Sequence, residues 1–396
     1  MKQSAQVAKS GILREIKVVS EDTAFKNALD NKKIVIMAGG TGGHIFPALA
    51  VGDKLKSYGA NIFWLGTEYG LESKIVTKHY PIDYLSILGV RKKGLIRKLT
   101  LPFSLAKSVF QAIRILKKRK AKVVIGFGGY ASAPGGFAAK ILRIPLIVHE
   151  QNAKAGVTNK SLAKIAKSVL CAFPTSSFGK TKKLKVIGNP VREEICQLQA
   201  VERDFYKHRL NVLILGGSQG AKAINDVIPA LLKQLPEGGE INIWHQCGER
   251  AYEEVCSLYQ THQIHMDKAG ENEEIAVKVE PFIEDMAKAY RWADIAVCRS
   301  GALTVSELAA AAVPAFFIPF PYAVDDHQFH NAQFLVKAKA AECMRQEQFS
   351  ADKLAAFIRV MDLDRKMLAS MSEHAKGVAH IDATEKLVLE VVKWIK

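Results

Sequence analysis

No apolar run in the sequence is long enough to cross a bilayer as a helix. The longest uncharged stretches, Val123–Ala139 and Leu308–Val324, are broken by glycine or proline. The first thirty residues mix charges throughout and lack the apolar core of a secretory leader, so they are expected to be an extension of no assigned role. Six cysteines (Cys171, Cys196, Cys247, Cys256, Cys298 and Cys343) include no C-x-x-C pair and no metal-ligand spacing. That excludes zinc ribbons and disulfide scaffolds, and points to scattered thiols in a reducing compartment. There is no G-x-x-x-x-G-K-[ST], and the third glycine of G-x-G-x-x-G counted from Gly40 falls on Ile45, so both the P-loop and the dinucleotide fingerprint are missing. The D-x-D string at Asp362 and Asp364 lies in a charged helical stretch and not after a strand; it is expected to be a solvated face, as are His262 and His265. The net charge of +17 comes without aromatic interleaving or a recognisable nucleic-acid module, so no nucleic acid is expected as a partner.

What is present is a chain of 396 residues, 48% hydrophobic and 24% charged, long enough for two domains with separate cores. Charge is divided unevenly between the halves. Residues 1–192 hold 34 Lys and Arg against 9 Asp and Glu, whereas residues 193–396 hold 22 against 30. Between Tyr84 and His149 there are 14 basic residues and no acid, so the two halves face different partners. Strands are expected at Lys33–Ala38, Asn61–Gly66, Val123–Gly126, Leu146–His149 and Lys185–Ile187. In the second half they are expected at Val212–Gly216, Ile241–Gln246, Ile295–Cys298 and Ala315–Ile318. Helical patterns at Phe46–Tyr58, Leu101–Lys118, Ala221–Leu235 and Thr304–Ala312 lie between them. This alternation predicts two α/β domains with parallel sheets, joined within Glu193–Arg209. The amphipathic end, Asp382–Lys396, would pack back on the first domain.

Three glycine loops follow strands: "AGGTGGH", "GFGGYASAPGG" at Gly126–Gly136, and "LGGSQGA" at Leu215–Ala221. Each would let backbone approach a ligand and aim helix N–H groups at an anion, although a tight βα turn needs the same residues. Three such loops, two of them in the basic half, favour a phosphate-rich ligand. His44 opens a helix. It is a cap or a histidine packed against Pro47, or else a general base or a hydrogen-bond donor to a diphosphate; a neutral imidazole at a helix N-terminus suits a base near neutral pH. "HEQNAKAGVTNK" (His149–Lys160) sets polar side chains directly after an apolar strand. "CRSGALTVSELAAAAVP" (Cys298–Pro314) repeats that logic, and "DDHQFHNA" (Asp325–Ala332) supplies amides able to read sugar hydroxyls.

Taken in order and spacing, "GGTGGHIFPALAV", "GFGGYASAPGG", "HEQNAKAGVTNK", "GNPVR", "GGSQGAKAIN", "RSGALTVSELAAA" and "HQFHNA" resemble the MurG family of bacterial UDP-N-acetylglucosamine transferases, from about Lys33 to the end. The resemblance implies a GT-B architecture, two Rossmann-like parallel-sheet domains facing a deep interdomain cleft. The extension would occupy residues 1–31, the acceptor and membrane-facing domain 32–195, the UDP-sugar domain 196–380 and a C-terminal helix 381–396. Residue by residue it implies donor-site roles for Thr41, Gly42, Gly43, Asn152, Arg192 and Ser218. Ile283 would read uracil through its backbone. Ala302, Leu303, Thr304, Val305, Ser306 and Glu307 would form the helix start that holds the diphosphate, with Glu307 on the ribose. Gln328 would contact the sugar. His327 departs from relatives that carry a second glutamine there, which leaves sugar selectivity at that position open.

The implied reaction is inverting transfer of N-acetylglucosamine from UDP-GlcNAc to the 4-hydroxyl of lipid I, a polyprenyl-diphosphate acceptor, with no cofactor and no metal. His44 is the leading base candidate and Glu150 the weaker one. The expected location is the cytoplasmic face of the bacterial inner membrane. The segment Leu88–Phe103 interleaves five basic residues with leucines, Ile96 and Phe103, each basic group contributing about 1 kcal/mol near an anionic surface. Rival readings are a sugar transferase acting on diacylglycerol and an epimerase of UDP-GlcNAc. The first needs another acceptor, and the second needs no lipid at all.

Overall fold

The computed structural model describes residues 22–86, 95–175, 177–206, 209–217, 220–234, 241–266 and 277–395, without the side chains of 95–102. The chain forms two compact units. The first runs to Gln151, resumes over Ala155–Pro190 and takes in the chain from Asp382; the second holds Asn152–Lys154 and Val191–Ile381.

The first unit is built on seven parallel strands: β1 Lys33–Ala38, β2 Asn61–Gly66, β3 Ile82–Tyr84, β4 Val123–Gly128, β5 Leu146–Glu150, β6 Ser168–Cys171 and β7 Leu184–Val186. Their order is β3-β2-β1-β4-β5-β6-β7. Central strands such as "KIVIMA" are apolar on both sides because helices cover both faces; Ile34, Val35, Ile36 and Met37 are all buried. The helices are α1 Gly42–Ser57, α2 Glu72–Ile75, α3 Leu95–Arg119, α4 Ser132–Ile141 and α5 Val157–Ala163. Helix α1 begins four residues before the expected Phe46, which places His44 inside its first turn. The C-terminal helix Ala383–Trp394 buries Leu387, Val388 and Val391 among the residues of β1, β2 and α1. It is latched by Glu390, which accepts hydrogen bonds from Ser168 Oγ at 2.6 Å and from Lys185 Nζ. Burial alone would raise that carboxyl, but Lys185, Ser168 and Trp394 outweigh it and hold it down at about 2.

The second unit has six parallel strands: β8 Leu210–Leu215, β9 Ile241–Gln246, β10 Val277–Glu280, β11 Ile295–Cys298, β12 Ala315–Phe317 and β13 Ala341–Cys343. The order is β10-β9-β8-β11-β12-β13. Its helices are α6 Glu193–Cys196, α7 Lys222–Asn225, α8 Val227–Leu232, α9 Tyr252–Thr261, α10 Met286–Trp292, α11 Ala302–Ala310, α12 His327–Lys337, α13 Ala351–Leu363 and α14 Arg365–Val378. The single helix expected over Ala221–Leu235 is two short ones that meet at Asp226. Asp362 and Asp364 lie on the solvent side, at the end of α13 and the start of α14: Asp362 pairs with Arg365, and the exposed Asp364 caps α14 through the Met367 N–H.

In each sheet the strand order reverses once, between β1 and β4 and between β8 and β11. Loops at the carboxyl ends of such neighbouring strands diverge and leave a crevice, which is where open α/β sheets take ligands. The glycine loops of the sequence stand at these two points.

Candidate active site

At the first reversal, the β1–α1 loop (Gly39, Gly40 and Thr41) lies against the β4–α4 loop. Gly129 has φ +91°, and a Cβ there would sit 2.5 Å from the Gly39 carbonyl oxygen, so only glycine permits this approach. Ser132 ties the same loops, its hydroxyl reaching the Met37 and Gly128 carbonyls at 3.2 and 2.7 Å. Thr41 is the extended N-cap of α1 but makes no side-chain cap; Gly42 and Gly43 follow as the first helical residues. Cap positions leave the first backbone N–H groups available to an anion. His44 Nδ1 lies 3.2 Å from the Gly39 carbonyl oxygen. A carbonyl can only accept, so Nδ1 carries the proton and the lone pair of the neutral ring falls on Nε2. A Cβ on Gly128 would lie 3.1 Å from that nitrogen.

Glu150 closes β5 and is buried. Its Oε2 accepts from the Gly156 N–H at 3.1 Å and from Asn159 Nδ2 at 2.9 Å, bonds that fold the following loop back on the strand. The residue picked from sequence as the weaker base is thus engaged by its own loop. His149 beside it is fully buried. Its Nε2 donates to the Gly188 carbonyl at 2.9 Å and its Nδ1 accepts from Gln151 at 3.1 Å. Burial pushes its pKa down to about 4, only partly opposed by the Gly188 bond, so it is a neutral strut at physiological pH.

In the second unit, Asn331 on α12 organises the polar residues. Its Oδ1 accepts from the Ala153 N–H at 2.8 Å, while Nδ2 donates to Asn152 Oδ1 at 3.2 Å and to the Ser300 carbonyl at 3.3 Å. Asn152 is thereby held beside the β11–α11 turn. Asn331 is one of the "HQFHNA" amides expected to read sugar hydroxyls, but it is fully buried and spends its hydrogen bonds on these loops.

Helix α11 follows Gly301, and the N–H groups of Ala302, Leu303 and Thr304 precede the first intrahelical bond, which runs from Val305 to the Gly301 carbonyl. The Ser306 hydroxyl turns back to the Ala302 carbonyl at 3.0 Å. Glu307 stands in the second turn, and α11 has no acid in its first, so pairing with the helix dipole does not explain it. It is buried, accepts the Tyr290 hydroxyl at 2.9 Å and faces Arg192 Nη2 at 3.5 Å. Burial raises its pKa, while Arg192 and Tyr290 pull it back. Tyr290 was not foreseen, since a buried aromatic on α10 looks like core until its hydroxyl is located. Ile283, buried in the loop between β10 and α10, forms no backbone hydrogen bond among the described residues. Ser218 lies outside the described residues, as do residues 88–94 of the segment Leu88–Phe103 and the side chains of 95–102.

Beside α11 a concavity of about 420 Å³ is lined by Gly220, Ala221, Lys222, Arg299, Phe320 and Gln328, among others. Gln328 Oε1 accepts from the Phe320 N–H at 2.9 Å, which fixes the amide. Two successive left-handed residues, Asp325 and Asp326 (φ 53° and 52°), lead into His327 and Gln328. Asp326 is clamped by Arg345 through two hydrogen bonds of 2.8 and 2.7 Å, and Arg345 lies over the Phe329 ring. His327 Nδ1 is engaged with the Val324 carbonyl at 2.8 Å. Among the described residues, no cluster of three His, Cys, Asp or Glu side chains could hold a metal ion.

Two parallel-sheet units with glycine loops at each strand reversal have the GT-B architecture, the class to which many glycosyltransferases belong. The family model for the glycosyltransferase family 28 N-terminal domain matches residues 34–171, and that for the family 28 C-terminal domain matches residues 211–387. Similar chains include the UDP-N-acetylglucosamine–N-acetylmuramyl-(pentapeptide) pyrophosphoryl-undecaprenol N-acetylglucosamine transferases of Shewanella frigidimarina and Cellvibrio japonicus. The first is 45% identical, covering 91% of this chain and 96% of its own; the second is 47% identical, covering 88% and 95%. The crystal structure of MurG from Acinetobacter baumannii matches with a TM-score of 0.75 at 39% identity, over 91% of this chain and 99% of that one. The chain belongs to the MurG family. A UDP-N-acetylglucosamine 2-epimerase also superposes, with a TM-score of 0.61 at 13% identity over 92% of this chain and 96% of that one, a likeness of fold alone.

Proposed function

We propose that the protein transfers N-acetylglucosamine from UDP-GlcNAc to the C4 hydroxyl of the muramoyl unit of lipid I, with inversion, giving lipid II for peptidoglycan. The observation that carries this reading is 45–47% identity, over nine-tenths of the chain, to transferases named for that donor and acceptor. In the proposed mechanism Nε2 of His44 takes the proton of the attacking hydroxyl as the anomeric carbon acquires oxocarbenium character. Charge developing on the departing UDP is met by the N–H groups of Ala302, Leu303 and Thr304, already oriented before the reaction. Arg192, held toward Glu307, adds a cationic donor on that side. Thr41, Gly42 and Gly43 line the reacting end, Asn152 and Gln328 hold sugar hydroxyls, and the Ile283 backbone pairs with uracil. Glu150 is assigned to its loop, not to proton transfer.

The test is incubation with radiolabelled UDP-GlcNAc and a short-chain lipid I analogue in excess EDTA. Label should pass to the analogue, none to diacylglycerol, and UDP-GlcNAc should not epimerise without acceptor. Failure of the analogue as acceptor would overturn the reading, and strict dependence on added magnesium would overturn its account of leaving-group stabilisation. We further propose that the enzyme works on the inner face of the bacterial plasma membrane. No helix of the described residues is long and apolar enough to cross it. Phe103, 80% exposed, and Phe110, 55% exposed, project from the basic helix α3, with Arg114 over the Phe110 ring. Sedimentation with vesicles containing anionic lipid, reversed by salt, is expected; equal binding to neutral vesicles would move the contact elsewhere.

Glu307 offers a separate test. A carboxylate can accept from both hydroxyls of a ribose diol while keeping Tyr290, whereas an amide has one acceptor oxygen. Glu307→Gln should weaken UDP binding by roughly 1.5–3 kcal/mol, the worth of a charge-assisted hydrogen bond. It should also shrink the preference for UDP over 2′-deoxy-UDP. If calorimetry finds the full preference retained, Glu307 serves only Tyr290 and Arg192.

A further inference from the structure

Glu72, in the short helix α2, is 1% exposed. A buried carboxylate must be met by donors, and this one has three. Oε1 accepts from the Thr67 N–H at 3.0 Å and the Thr67 hydroxyl at 2.6 Å, and Oε2 accepts from the Gly40 N–H at 3.1 Å. Space for it is made by glycines. A Cβ on Gly39 would lie 2.7 Å from Oε1, one on Gly66 2.9 Å from Cγ, and one on Gly70 closer still. The "LGTEYGLE" segment thus brings one acid against the "AGGTGGH" loop across two strand ends.

The consequence turns on one peptide group. The bond between Gly39 and Gly40 presents its carbonyl to His44 Nδ1 and its N–H to Glu72 Oε2. Flanked by two glycines, with Gly40 at φ +93°, this peptide could rotate at little steric cost, which would turn the carbonyl away from the imidazole. The carboxylate holds it in one sense. A chain of hydrogen bonds from carboxylate through amide to imidazole also polarises each member, which strengthens the carbonyl as an acceptor of the Nδ1 proton.

We propose that Glu72 is a positioning residue that fixes the orientation and tautomer of His44 through the Gly39–Gly40 peptide. This rests on the reading of His44 as the base, but the tautomer can be observed without turnover. In protein labelled with ¹⁵N-histidine, the His44 signals are assigned by their loss in His44→Asn. Wild type should show a protonated Nδ1 and a bare Nε2. Glu72→Gln keeps the volume but sets an amide NH₂ against one of the three donors. Its His44 signals should move toward a mixture of tautomers, with kcat down tenfold or more and KM for UDP-GlcNAc within twofold of wild type. Thr67→Val removes one bond while leaving Gly40 held, and should keep the wild-type tautomer.

A bare Nδ1 in wild type would overturn the proposal even if Glu72→Gln fails to fold. So would an unchanged tautomer in Glu72→Gln, or equal disturbance by both variants, which would make Glu72 a structural staple. Full activity of His44→Asn would instead remove the base reading and leave the tautomer result standing.

Discussion

His44→Asn should lower kcat for transfer to a lipid I analogue by roughly 10²–10⁴, the usual contribution of a positioned general base. The choice of asparagine separates two roles of the ring. Its amide nitrogen occupies nearly the place of Nδ1 and can still donate to the Gly39 carbonyl, which the wild-type ring meets at 3.2 Å. Nothing in asparagine replaces the lone pair on Nε2. The loop geometry should therefore survive while the base is lost, and UDP affinity, which the proposed function assigns to groups of the second unit, should stay within twofold. Single-turnover kinetics with saturating donor would isolate the chemical step. A variant within threefold of wild type would show that another group, or solvent, removes the proton.

The second large effect should come from Arg203, a residue that touches no predicted ligand. Its half-buried guanidinium donates to three backbone carbonyls: Ala293 at 2.6 Å, Tyr290 at 2.8 Å and Ala311 at 2.8 Å. These carbonyls belong to the ends of α10 and α11, where a helix leaves its last acceptors unmet. Burial lowers its pKa to about 10, with Asp294 opposing, so the charge persists at neutral pH. Arg203→Met would leave three acceptors unsatisfied in a half-buried site. At about 1.5–3 kcal/mol per bond to a charged donor, and allowing for non-additivity, the expected loss is about 3–5 kcal/mol. For a unit of this size that corresponds to roughly 6–20 °C in Tm. UDP binding should weaken as well, because α10 carries Tyr290 and α11 carries Glu307. A variant melting within 2 °C of wild type would show that water replaces the guanidinium.

The expected central strands were legible because burial on both faces demands continuous Val, Ile and Leu, as in "KIVIMA" and "NVLIL". The strands that escaped were β3 "IDY", β6 "SVLC", β10 "VKVE" and β13 "AEC". Three of these lie at sheet edges, where one side is solvated and polar residues are tolerated, so their pattern does not differ from loop. β6 is interior but short, and its first residue is a serine taken up by Glu390. Site residues divide similarly. Glycine loops announce themselves through composition, whereas Glu72 and Asn331 acquire meaning only when distant segments meet. Arg203 lies in the polar stretch Glu193–Arg209 that the sequence suggests as a linker, where a charge ordinarily signals solvent, but the second unit already begins at Val191 and takes it in. Glu307 was visible, but its helical turn depended on α11 starting at Ala302, and boundaries are the least certain part of a sequence reading.

The return of the chain to its first unit has a consequence for synthesis. Val191–Ile381 forms all of the second unit except Asn152–Lys154 before the C-terminal helix rejoins the first. Leu387, Val388 and Val391 complete a core whose other members were translated hundreds of residues earlier. At roughly 5–20 residues per second, the first unit waits about ten to forty seconds for its last helix while the second emerges and folds. During that interval the apolar surface of α1 and the early strands needs cover from a chaperone or from the ribosome. The second unit can be made and finished in one pass. The order of completion is therefore the reverse of the order of translation.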